Sequence, residues 1–134
     1  MLNRGRIDGE LALLREGGQV AELLVNGRAV VLYREVPASG PRFGLPDRSD
    51  VIVPVPDGYP ASMIDSAGLP LGSPFLPRVR GGGNNQGIVR ADGRDWQLSS
   101  YHPHDGGGGP PWDQMRFGFH TYLDHLIAWL DQLS

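Results

Sequence analysis

Hydroxyls and imidazoles crowd into one run of this chain, Trp96-Gln97-Leu98-Ser99-Ser100-Tyr101-His102-Pro103-His104-Asp105. The chain contains no cysteine, so thiolate nucleophiles, thioesters, disulfides and thiolate metal sites are excluded. Covalent chemistry must use an oxygen or nitrogen nucleophile. Ser100 and His102 are two residues apart, and such residues share a face of an extended strand. His102 is therefore placed to accept the proton that makes Ser100 nucleophilic, with Asp65 or Asp105 as the group that orients the imidazole. The plainer alternative is that Ser99 and Ser100 close a strand and His102 lies on the surface. Short patterns of this kind arise often by chance.

The same run offers a second chemistry. His102 and His104, joined by a proline that favours extended backbone, present two imidazoles of the type that bind zinc, and His120 is a third candidate. Against this, His120 and His125 are five apart on a helix and do not share a face, and no HExxH pattern occurs. The expectation is no metal and no cofactor. The glycine runs at residues 81–83 and 106–109 match neither phosphate-loop pattern and read as flexible loops able to order on a partner. Arg78, Arg80, Arg90 and Arg94 form a local basic cluster, either a solvated face or a docking surface for an acidic partner. Trp96, Trp112 and Trp129 read as core or loop anchors.

Several elements must hold these groups. Residues 8–18 read as a short helix capped by Asp8 and ended by Gly17 or Gly18. Residues 20–25 and 29–36 read as strands joined by a two-residue Asn26-Gly27 hairpin. Residues 50–56 form a third strand, in which Pro54 belongs at an edge or bulge. After the turn at residues 57–60, residues 61–93 are hard to assign apart from a short strand near residues 87–90. Asp92-Gly93 is a hairpin signal leading into a strand over residues 94–99. The last segment is an amphipathic helix of about five turns over residues 113–133. Met115, Phe119, Tyr122, Leu126 and Leu130 form its apolar stripe, widened by Leu123 and Ile127. The order helix, strands, irregular loop, long helix defines an α+β domain.

The length of 134 residues suits one domain, taken here as residues 1–134 with a core from about residue 8 to residue 133. A formal net charge of −3 argues against an extended nucleic-acid footprint. No apolar run reaches membrane-spanning length, and no apolar stretch follows the charged N-terminal residues. The expectation is a cytoplasmic protein that engages neither nucleic acid nor membrane.

Several of these segments together resemble the bacterial branch of the ubiquitin-conjugating-enzyme (UBC) superfamily called prokaryotic family E. Leu13-Leu14-Arg15-Glu16-Gly17-Gly18 resembles its leucine-rich turn before the first strand. Residues 51–60, ending Pro56-Asp57-Gly58-Tyr59-Pro60, resemble its strand followed by P-x-G-Y-P, and Asp65 follows where the family places an aspartate. Residues 96–102 resemble its W-Q-R-W-S-R-H run, with Leu98, Ser99 and Tyr101 departing from it. Trp112 followed by Thr121-Tyr122-Leu123 resembles its W-R-P-G-V-D segment and T-Y-L helix, although residues 113–117 do not reproduce R-P-G-V-D.

The resemblance implies a UBC-like α+β fold: an N-terminal helix, an antiparallel meander of about four strands, an irregular active-site flap and a long C-terminal helix. It also implies a pathway with a ubiquitin-like modifier protein, a ThiF-like activating enzyme and a JAB-type protease. Conventional members carry the modifier on cysteine, which this chain lacks. Two readings follow. In one, Ser100 carries the modifier as an oxyester with His102 as base and Asp65 in support, and glycine-loop amides stabilise the oxyanion. In the other, the domain is a catalytically inactive scaffold that binds the modifier or its activating enzyme. A third reading, a small metal-dependent hydrolase, needs the histidines to converge and has no motif behind it.

Overall fold

A computed structural model describes residues 2–25, 27–38, 44–79, 87–101 and 111–133. The first helix, α1 (Arg4–Glu16), starts earlier than Asp8. The Asn3 side chain accepts the Arg6 N–H and supplies the cap, so Asp8 falls inside the helix. Gly17 and Gly18 end it, their N–H groups donating to the carbonyls of Leu13, Leu14 and Arg15. One face, Ile7, Leu11 and Leu14, is buried, while Leu13 faces outward.

Six strands follow and form one antiparallel sheet in the order β1-β2-β3-β4-β6-β5. They are β1 (Ala21–Leu24), β2 (Val30–Pro37), β3 (Arg48–Pro54), β4 (Ser66–Pro70), β5 (Ile88–Ala91) and β6 (Arg94–Ser100). The first four form a meander, whose fourth strand falls in the stretch 61–93 that is hard to assign from sequence. The β5–β6 hairpin then adds two strands, with β6 inserted against β4. The protein is therefore α+β, with a six-stranded sheet where the resemblance implies a meander of about four strands.

Two local expectations change and a third holds. The β1–β2 link is longer than a two-residue turn, because the Ala29 carbonyl is taken by the Val55 N–H beyond β3 and does not close onto Val25. Pro54 sits in a central strand, but as its last residue, where the missing donor interrupts no ladder. The Asp92-Gly93 turn is as the sequence indicates, with φ of 55° and 73°, the left-handed pair that a tight hairpin requires.

β2 carries a bulge between Tyr33 and Val36, where the register against β3 slips by one residue. Glu35 takes a positive φ of 50° there, and its N–H donates to Asp50 Oδ1 at 2.8 Å. The extra residue turns Val36 onto the same face as Tyr33, so both enter the main core. That core lies between the sheet and the two helices. It contains Val31, Val51, Val53 and Leu69 from the sheet, with Ile7, Phe119, Leu126 and Leu130 from the helices.

The other face of the sheet curls over a second, smaller core of Val30, Leu32, Ile52, Trp96 and Leu98. Gly68 makes this curl possible: a Cβ there would lie 2.8 Å from Ile52 Cγ1 and 3.0 Å from Leu98 Cδ2. Arg34 on β2 reaches across to the β5–β6 turn and pairs with Asp92 through both terminal nitrogens, at 3.0 and 3.1 Å.

The last helix, α2 (Phe119–Leu133), begins later than residue 113. Asp113 starts a turn instead: its Oδ1 accepts from Met115 N–H and its carbonyl from the Arg116 and Phe117 N–H groups. Gly118 separates that turn from the helix. Its N–H donates to Thr121 Oγ1, whose hydroxyl returns a bond to the Gly118 carbonyl. Met115 is consequently 85% exposed and outside the stripe, whereas Phe119, Tyr122, Leu126, Trp129 and Leu130 are buried. Among the described residues no helix is long and apolar enough to cross a membrane.

Candidate functional site

Ser99 and Ser100 end β6, opposite Ala67 and Ser66 of β4. Strand alternation sends them to opposite faces. Ser99 turns toward the helices, is wholly buried, and its hydroxyl has no hydrogen-bond partner among the described residues. Ser100 lies beside Ser66 on the other face and is half-buried. Of the two hydroxyls, Ser100 is therefore the accessible one.

Asp65 comes close to this strand end through its backbone, its carbonyl accepting the Tyr101 N–H at 3.1 Å. Burial pushes the Tyr122 phenol well above its usual range, and the charges of Tyr101 and Asp65 add to that shift. Asp65 is itself exposed, and Ser66 Oγ donates to its Oδ1 in a long contact of 3.5 Å. The structure thus joins the Asp65 and Ser100 segments through the backbone, and Ser66, whose hydroxyl touches the Asp65 carboxylate, lies opposite Ser100. His102, with His104, Asp105 and both glycine runs, lies outside the described residues. The irregular flap expected after β6 falls in the same stretch. Among the described residues no three histidine, aspartate or glutamate side chains gather into a metal-binding group.

The strand end is braced by aromatic side chains. The Tyr101 ring stacks on Trp129 of α2 with centroids 5.6 Å apart, and its hydroxyl donates to the His125 carbonyl. Tyr122 donates to the Tyr101 carbonyl at 3.2 Å. β6 is thereby fixed to α2 where the chain leaves the sheet. All three tryptophans are anchors, as their composition suggests. Trp96 fills the smaller core and donates to the Ala91 carbonyl, Trp129 is buried on α2, and Trp112 donates to the Pro60 carbonyl at 2.8 Å.

A buried polar cluster escapes sequence reading. The Glu10 carboxylate accepts from Tyr59 Oη at 2.5 Å, from the Phe119 N–H at 3.0 Å and from Arg6 Nε at 2.7 Å. It supplies an acceptor to the first turn of α2 from a different helix. Arg6 also donates to the Gln114 and Phe117 carbonyls. The peptide between Tyr59 and Pro60 is cis. Tyr59 is held protonated, its phenol pushed far above the ordinary range first by burial and then by the bond to Glu10. The only local signal for this cluster is the i,i+4 spacing of Arg6 and Glu10, which usually marks a surface pair.

The expected basic cluster is largely neutralised. Arg90 pairs with Asp95, and Arg94 with Asp50 and Asp92 while covering the Trp96 ring at 4.4 Å. Arg80 lies outside the described residues.

Comparison of the chain with protein-family models, with characterised proteins and with solved structures finds no match. The resemblance to UBC-like proteins therefore rests on this chain's own motifs.

Proposed function

We propose that the protein is a ubiquitin-conjugating-enzyme-like component of a bacterial ubiquitin-like conjugation pathway that binds and presents a modifier without holding it on cysteine. One observation carries this reading. Motif segments chosen on sequence grounds, far apart in the chain, meet in space. Trp112 donates to the Pro60 carbonyl of the P-x-G-Y-P turn, and its ring lies 6.3 Å from that of Tyr59. The Trp96–Ser100 run pairs with the strand that begins just after Asp65. The partners in this reading are the modifier and a ThiF-like activating enzyme, with a JAB-type protease in the same pathway.

A second reading has Ser100 carry the modifier as an oxyester. It is favoured by the partial exposure of Ser100 beside the wholly buried Ser99. In that step Ser100 Oγ forms the ester with the activated C-terminal carbonyl of the modifier, its proton passes to a base, and the activating group leaves.

One experiment tests both readings. The protein is incubated with the modifier and activating enzyme encoded near it, together with ATP, and binding is titrated in parallel. Binding without adduct is the expected outcome for a presenting module. An adduct that survives reducing thiols, yields to hydroxylamine and is lost in Ser100→Ala would establish the carrier. Association with neither protein would refute the pathway assignment.

A further inference from the structure

Arg28 stands where two clefts meet. It is exposed and has no ion pair among the described residues. Its backbone position is fixed, because the next carbonyl, Ala29 O, accepts the Val55 N–H at 3.0 Å. On one side is a cleft of about 570 Å³ that also contains the exposed carboxylate of Asp57. An anion entering there meets a like charge that repels it. On the other side is a cleft of about 690 Å³ between the β1–β2 loop and the β5–β6 turn. Leu24 and Ala91 form its apolar wall, and Gly27 and Gly93 lie at its edges. Arg28 from the β1–β2 loop and Arg90 from β5 also line it.

The acidic groups around this second cleft are already committed. Asp92 is paired with Arg34 and Arg94, and Asp95 with Arg90. The Asp92 carboxyl is held below its usual range, first by the hydrogen bond from Arg34. Arg28 is left with a fork of donors suited to a carboxylate. Asp92 and Asp95 still repel a dianion about twice as strongly as a monoanion, since Coulomb energy scales with charge. The apolar wall favours an anion carried on a short hydrocarbon stem.

We propose that this cleft is a docking surface for an acidic segment of a partner protein, with Arg28 gripping a glutamate or aspartate carboxylate and Leu24 and Ala91 covering the neighbouring apolar side chain. The inference is independent of the pathway reading above.

The test is an amide-resolved NMR titration of the full chain with a capped peptide of alternating leucine and glutamate. The expected result is saturable shifts at the Gly27 and Gly93 amides that weaken with added salt, as for any exposed charge contact. Arg28→Ala should weaken binding on the order of tenfold, in line with losing one charge-assisted pair. Arg28→Glu should abolish it. Both variants should keep the native spectrum elsewhere, because Arg28 makes no described ion pair. Equal binding by a leucine–glutamine peptide, unchanged binding by Arg28→Ala, or no shift at Gly27 and Gly93 would overturn the proposal. So would inorganic phosphate producing the same shifts at lower concentration, which would make the cleft a small-anion site.

Discussion

Gly118→Ala tests the buried cluster that joins the two helices. A Cβ at residue 118 would lie 2.5 Å from Glu10 Oε2, 2.6 Å from its Cδ and 2.7 Å from Oε1. Its three nearest neighbours are thus all in one carboxyl group. Gly118 does not have a positive φ, so the substitution brings no backbone strain of that kind. Its whole effect should pass through Glu10. Displacing that carboxylate strips the Tyr59 hydroxyl and the Phe119 N–H of their acceptor. Each unsatisfied buried donor costs about 1–3 kcal/mol. Arg6 is discounted, because its side chain is 26% exposed and water can replace the pairing. The two together come to about 2–6 kcal/mol; the lower half of that range gives roughly 3 kcal/mol for Gly118→Ala, and about the same for Glu10→Ala, which removes the acceptor directly. In the double variant the added methyl has no carboxylate to displace, so the second substitution should cost well under about 1 kcal/mol. Urea melts of the four proteins in this cycle would give a coupling of about 2–3 kcal/mol, within the range seen for residues in direct contact. Additive losses would refute the reasoning, since the glycine would then be required for a reason other than room for Glu10.

Two further predictions concern the core. The four tyrosines of the chain all have phenols pushed above the usual value near 10, with burial as the first cause in each. Their raised folded-state values contribute stability that is complete below about pH 10 and is lost as pH rises past the unfolded value, because the unfolded chain releases its protons first. Tyrosinate absorbance should therefore appear together with cooperative alkaline unfolding, and a separate titration near pH 10 with the fold intact would contradict this. Leu126→Ala, at a wholly buried position on α2, should cost about 2–5 kcal/mol in a denaturant melt. Met115→Ala should change stability by less than about 0.5 kcal/mol, as expected for an exposed side chain; equal losses at both positions would show that the apolar stripe extends through the turn before α2.

The sequence by itself determined the features that depend on neighbours along the chain. The spacing of Phe119, Tyr122, Leu126 and Leu130 specified one face of α2, because helical periodicity is a local property. Asp92-Gly93 specified a hairpin, because only residues tolerant of positive φ close that turn. The alternation of Ser99 and Ser100 specified that they face opposite ways. Tertiary structure decided which of those ways is covered. Ser99 is the buried one because α2 packs on its face of the sheet, and no pattern within β6 records where that helix lies. β4 was illegible for the same reason. Its Ser66-Ala67-Gly68-Leu69-Pro70 carries no strand pattern that can be assigned in isolation, and Gly68 is needed only because Ile52 and Leu98 crowd in from the neighbouring strands. The β2 bulge, the late start of α2 and the Glu10 cluster also arise from contacts between segments distant in sequence. Local spacing fixes the shape of each element, but burial and hydrogen-bond pairing are settled only when the elements meet.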